Sequence, residues 1–121
     1  MKLSDKEWRV LETLWASPEG LALGEVVEAL RPATGWSRNT VLTYLTRMEV
    51  KGLVTIHKTQ APHRYRSAVD REACAAQERR GLLDRVYQGS AGKLVAAFLK
   101  EEKLTAQERE ELKQLLDDME V

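Results

Sequence analysis

Asn39, Thr43, Thr46 and Arg47 stand at helical spacing within residues 36–52 and offer an amide, two hydroxyls and a long cation. Such groups hydrogen-bond to nucleic-acid base edges and phosphates. Arg forks onto guanine O6 and N7, Asn pairs with adenine, and Thr offers a hydroxyl to phosphate or a methyl to thymine. Ser37, Arg38, Thr40 and Lys51 belong to the same stretch, and Lys58, Arg64 and Arg66 follow it closely. An isolated helical Arg is more often a solvated surface residue. A capped face without carboxylates beside further cations shifts the balance toward DNA. Asn39 is equally placed to solvate the first helical turn, so it ranks below Arg47 and Thr43.

The element that must position these groups is a helix with both ends marked. Ser37 is the predicted N-cap, Trp36 and Val41 hold the positions of a hydrophobic staple, and Gly52 follows Lys51 as a stop. At about 100° per residue, Val41, Tyr44, Leu45 and Met48 share one side, while Asn39, Thr43, Thr46, Arg47 and Val50 share the other. One face is therefore core and the other is presented. A helix of about 14 residues is roughly 20 Å long, short enough for a major groove.

Around this helix the chain predicts further elements in order. Ser4 and Glu7 form a capping box with Leu3 and Trp8 as its staple, and Trp8, Leu11, Leu14 and Trp15 make a first helix ending near Ala16. A second helix is expected from about Leu23 to Arg31, with Val26, Val27 and Leu30 inward and Pro32 ending it. After Gly52 the period changes from 3.6 to 2. Residues 53–57 and 64–67 read as strands joined by a turn at residues 59–62. Three helices and a hairpin make a winged helix, whose second and third helices form the helix-turn-helix.

Asp70 caps a long polar helix to about Gln88, and Gly89 and Ser90 supply a break and a cap. Leu94, Val95, Phe98 and Leu99 stripe a fifth helix. Thr105 and Glu108 cap a sixth that carries Leu112, Leu115, Leu116 and Met119. The fold class expected is mainly α with a small β-hairpin: a winged-helix DNA-binding domain over residues 1–69 and a helical dimerisation domain over residues 70–121. Three amphipathic helices in about 50 residues bury too little to be stable alone, and a homodimer supplies the missing surface.

Composition narrows the function. With 43% hydrophobic and 31% charged residues, the 121-residue chain is expected to fold as a globular protein. The N-terminal residues lack a signal-peptide core and no run of about 18 apolar residues occurs, so a cytoplasmic location is expected. Zero net charge conceals an asymmetry: residues 31–71 hold eight Lys/Arg against two Asp/Glu, net +6, while residues 1–30 and 72–121 are each net −3. Phosphate binding depends on such local excess.

One cysteine, Cys74, excludes an internal disulfide and reads as a small apolar residue. His57 and His63 are expected to face each other across the hairpin, but two ligands make a poor metal site, so no metal and no cofactor are expected. The three tryptophans fit core and staple positions better than stacking platforms for bases. Carboxylates of the last 50 residues stand at helical spacing from basic residues and read as solvated, partly paired faces. No nucleophile-base pair or small-molecule site is evident, so an enzyme is not expected.

These residues resemble the penicillinase-repressor family of bacterial winged-helix regulators, the BlaI and MecI type, along the whole chain. The first-helix pattern appears as residues 7–15, and the recognition-helix pattern is met by Trp36, Ser37, Thr40, Val41, Thr43, Leu45, Arg47, Met48, Lys51 and Gly52. Gly89 and Ser90, then Leu104, Thr105 and Glu108, continue the match. The resemblance implies a dimeric repressor on a palindromic operator, held together by its C-terminal helices. It also implies release when a membrane-embedded sensor metalloprotease causes a cut in the fifth helix. The family's scissile pair is Asn-Phe, whereas the aligned pair here is Ala97 and Phe98. The paired cysteines of a copper-sensing branch are missing, which argues against copper as inducer.

The expected function is therefore a homodimeric transcriptional repressor with the third helix in the major groove and a basic wing on the backbone. The alternative is a winged-helix protein-interaction module, favoured only by exposed Val50 and Tyr44. A +6 segment is not needed for that role.

Overall fold

A computed structural model describes residues 2–119, with the order α1 (Asp5–Trp15), β1 (Leu21–Ala22), α2 (Leu23–Thr34), α3 (Arg38–Val50), β2 (Val54–His57), β3 (Arg64–Ser67), α4 (Arg71–Tyr87), α5 (Ala91–Glu101) and α6 (Ala106–Asp118). The mainly α architecture with a small antiparallel sheet matches the winged-helix expectation. Two compact units, residues 1–78 and 79–121, divide inside α4. The division falls after the helix start because Cys74 is built into the core of the first unit. No helix among the described residues is long and apolar enough to cross a membrane.

The first unit forms where the local caps direct it. Ser4 Oγ accepts from the Glu7 N–H at 3.1 Å while the Ser4 N–H donates to Glu7 Oε1 at 3.0 Å, completing the capping box of α1. Val10, Leu11 and Leu14 of α1 then meet Val26 and Leu30 of α2 and Val41, Leu45 and Met48 of α3, each at most 2% exposed. Burying a side chain of this size contributes about 1.5–3 kcal/mol, so these positions carry most of the unit's stability. Trp8 and Trp15 pack half-buried on this core, edge to face at 5.2 Å. The Trp15 indole N–H donates to the Val69 carbonyl at 3.0 Å.

Two features correct the expectations. Helix α2 does not stop at Arg31 but continues through Pro32 to Thr34. Proline removes one backbone bond, here in the last turn, where Glu28 and Pro32 are both exposed and water can serve the orphaned carbonyl. Thr34 Oγ1 donates to the Leu30 carbonyl at 2.8 Å, and Gly35, at φ 64°, donates to Arg31 at 2.9 Å to close the helix.

The sheet, moreover, has three strands in the order β1-β3-β2, not two. Leu21 and Ala22 pair with Tyr65 and Arg64, while Val54 to His57 pair with Ser67 to Arg64. Strand β2 begins one residue later than expected because Leu53 completes the end of α3. Its N–H reaches the Met48 carbonyl at 2.9 Å, over Gly52 at φ 81°.

The second unit is unlike the first. Ser90 Oγ caps α5 by accepting from the Lys93 N–H at 3.2 Å, and Thr105 with Glu108 forms both bonds of a capping box on α6. None of residues 79–119 is buried. Leu94 and Leu112 are half-buried, whereas Val95, Phe98, Leu99, Leu115, Leu116 and Met119 are 43–63% exposed.

Candidate nucleic-acid interface

Helix α3 begins with Ser37 Oγ accepting from the Thr40 N–H at 3.2 Å and donating to Thr40 Oγ1 at 3.1 Å. Its inner side is sealed, with Val41, Leu45 and Met48 at 0% exposure. Tyr44, at the margin of that side, is half-buried and stacks flat on Trp36 at 4.7 Å. This fixes the rotation of the helix, so that Asn39, Thr43, Thr46, Arg47 and Val50 all lie exposed as the periodicity predicts.

Hydrogen bonding distinguishes these exposed groups. Thr43 Oγ1 donates to the Asn39 carbonyl at 2.9 Å, so its proton is spent and it presents a methyl and lone pairs. The side chains of Arg38, Asn39, Thr46 and Arg47 make no hydrogen bond or ion pair among the described residues. The one carboxylate of α3, Glu49, is drawn aside by Lys58 of the hairpin at 3.6 Å. What remains outward is an amide, hydroxyls and two unneutralised guanidinium groups.

The other predicted cations are more engaged. Lys51 Nζ lies 2.7 Å from Glu7 Oε2 and so ties the end of α3 to the start of α1. Burial alone would raise the Glu7 carboxyl, but the bonds from Lys51 and Ser4 outweigh it and hold the pKa below the ordinary value. Arg64 Nη1 donates to the Gly20 carbonyl and Arg66 Nε to the Glu19 carbonyl, both at 3.0 Å. These bonds anchor the turn that leads into β1. Gly20 sits at φ 96°, and a Cβ there would stand 3.0 Å from Arg66 Cγ. The wing thus keeps its positive charge while using part of it for its own construction.

Between wing and helix lies a groove lined by Leu23, Gly24, Arg38, Leu42, Pro62, His63 and Tyr65. Leu42, 38% exposed, was not legible as an interface residue by charge, although its place four residues after Arg38 sets it on the margin of the presented face. The histidines do not face each other as expected: His57 pairs in register with Arg64 and shares a 2.8 Å hydrogen bond with Thr59 Oγ1. Among the described residues no group of three or more His, Cys, Asp or Glu is placed to hold a metal. Burial pushes the Cys74 thiol up, with Asp70 and Glu78 adding to it, so the thiol stays protonated at neutral pH. Ala97 and Phe98 fall within α5, the first half-buried and the second 52% exposed.

Comparison with known proteins agrees with this geometry. The family model of the penicillinase repressor matches residues 3–118. The methicillin resistance regulatory protein MecI of Mammaliicoccus sciuri is 28% identical over 116 residues, covering 96% of this chain and 94% of that protein. The penicillinase repressor of Bacillus licheniformis is 28% identical over 117 residues, covering 97% and 91%. Among solved structures, the Bacillus licheniformis BlaI monomeric form in complex with the blaP half-operator is similar at a TM-score of 0.52 and 28% identity, over 60% of this chain and 87% of that one. The DNA-binding domain of the repressor BlaI is similar at a TM-score of 0.51 and 29% identity, over 59% and 90%. A match that spans all but the two ends, on a winged-helix fold, means that the chain belongs to the penicillinase repressor family.

Proposed function

We propose that the protein is a homodimeric transcriptional repressor of a palindromic operator. Helix α3 enters the major groove, the wing lies along the flanking backbone, and α5 and α6 join two copies so that two recognition helices meet two half-sites. The observation that carries this reading is the outer face of α3, where the side chains of Arg38, Asn39, Thr46 and Arg47 make no hydrogen bond or ion pair among the described residues and the carboxylate is turned away to Lys58. Unneutralised guanidinium groups there are suited to phosphates and to guanine. The complex of BlaI with a half-operator supports the same use of the fold.

Pairing through the second unit is supported by its apolar side chains, exposed from Val95 to Met119 in a unit with no buried residue among those described. Residues 79–121 are the pairing module and residues 1–78 the reader. A cut between Ala97 and Phe98 by a membrane sensor metalloprotease would divide α5 and its apolar face, weaken the dimer and release DNA.

The reading is tested by titrating the full chain against a palindrome from its own upstream region and against random duplex over a range of salt. Preference for the palindrome that falls about 5- to 150-fold in Arg47→Ala, with non-specific binding little changed, supports it. Equal binding of the wild type to both duplexes overturns it.

A further inference from the structure

The outer face of α3 holds two ridges side by side. Asn39, Thr43 and Arg47, four residues apart, form a polar one. Leu42, Thr46 and Val50, also four apart, form an apolar one that continues the line from Arg38. Leu42 is 38% exposed and Val50 84% exposed, and Thr46 between them is exposed as well. Aliphatic side chains on a presented helix face gain transfer free energy when a complementary apolar group covers them. The core cannot do so, because α3 already meets it with Val41, Leu45 and Met48.

We propose that Leu42, Thr46 and Val50 form a methyl-reading strip that packs on thymine C5-methyl groups in the major groove. The operator half-site is thereby restricted to thymine at the positions beneath it. The inference rests on the DNA-binding reading above and names the base chemistry that the reading leaves open. Thymine alone of the four bases carries an apolar group in the major groove, and aliphatic side chains are its complement. Leu42 to Val50 spans eight residues, about 12 Å of helix, which matches roughly three to four base-pair steps of about 3.4 Å. Arg38 and Arg47, without a hydrogen bond or ion pair among the described residues, flank the strip, and the one carboxylate of α3 is paired with Lys58, so a polyanion is the occupant that charge favours over an apolar protein surface.

The test begins with selection of duplexes by the full chain from a random library. The enriched site is then resynthesised with deoxyuridine for thymidine, which deletes only the methyl groups. Each buried methyl is worth about 0.8 kcal/mol, or about fourfold in Kd. Wild type should therefore bind the uracil duplex about 4- to 15-fold more weakly, with the salt slope unchanged because no phosphate contact is altered. The Leu42→Ala/Val50→Ala double variant should discriminate thymine from uracil duplexes less than wild type does, and far-UV circular dichroism and thermal melting check that it stays folded. Equal wild-type affinity for the two duplexes, or an enriched site without thymine, overturns the strip while leaving DNA recognition intact. A selection that enriches no duplex overturns both.

Discussion

At the scale of single residues, the groups on and around α3 divide by whether their polar atoms are already used. Arg47 makes no hydrogen bond or ion pair among the described residues, and Lys51 is bound to Glu7. Both are basic residues of one helix, yet their expected behaviour differs. Arg47→Ala should leave the melting temperature nearly unchanged and reduce specific DNA affinity, by about 1–3 kcal/mol if it holds a base bidentately. Lys51→Met should act first on stability, costing about 1–2 kcal/mol at neutral pH, a figure already reduced for the half-exposed ammonium.

The pH dependence follows from the lowered pKa of Glu7. A depressed carboxyl contributes stability above its unfolded value of about 4.3 and loses it as pH falls through the lower folded value. Removing Lys51 leaves burial opposed only by the Ser4 bonds, so Glu7 loses part of its depression and the acid-unfolding midpoint of Lys51→Met should move to higher pH. An unchanged midpoint in an acid titration followed by circular dichroism would count against the pair. The Glu7 and Lys51 contact spans 44 residues, and no local pattern reveals it. The basic segment is visible from composition, while the division of its cations between DNA and the protein's own carbonyls and carboxylates is not.

Among elements, the helices that announce themselves are those closed by short-range chemistry. Ser4 with Glu7, Ser37, and Thr105 with Glu108 are three residues or fewer from the groups they satisfy, so the starts of α1, α3 and α6 are readable residue by residue. Strand β1 is hidden because it is two residues long and exists only through its pairing with Tyr65 and Arg64. The end of α2 is missed for another reason: Pro32 is a strong stop in general, but in a last exposed turn it removes only one bond. Gly20 is the hinge on which the small sheet depends. Gly20→Ala combines a positive φ with a Cβ 3.0 Å from Arg66, so it should destabilise the first unit by more than 1 kcal/mol, roughly, and loosen the wing. Chemical denaturation and amide exchange at Tyr65 and Arg66 would register this, and unaltered exchange would argue against it. In the core of α3, Leu45→Ala should cost about 2–5 kcal/mol, enough to unfold much of a marginally stable unit.

On the scale of the molecule, the two units solve stability in different ways. The first closes a core of its own from three helices and a sheet, and the second leaves Val95, Phe98, Leu99, Leu115, Leu116 and Met119 exposed to solvent. A second copy that covers this face would couple two readers, each with one basic segment, and raise operator affinity through effective concentration by about 10²- to 10⁴-fold. Phe98→Glu should therefore yield monomers in sedimentation velocity and lose that factor on a palindrome, while keeping the weak affinity for an isolated half-site. Dimers that persist in this variant would place the interface elsewhere. The most direct test is the salt-dependent titration of the 121-residue chain on its upstream palindrome and on random duplex, with wild type and Arg47→Ala side by side. The expected result is a steep salt slope on both duplexes, a clear wild-type preference for the palindrome, and loss of that preference without Arg47. Binding that ignores sequence in the wild type, or a preference that survives Arg47→Ala undiminished, would contradict it.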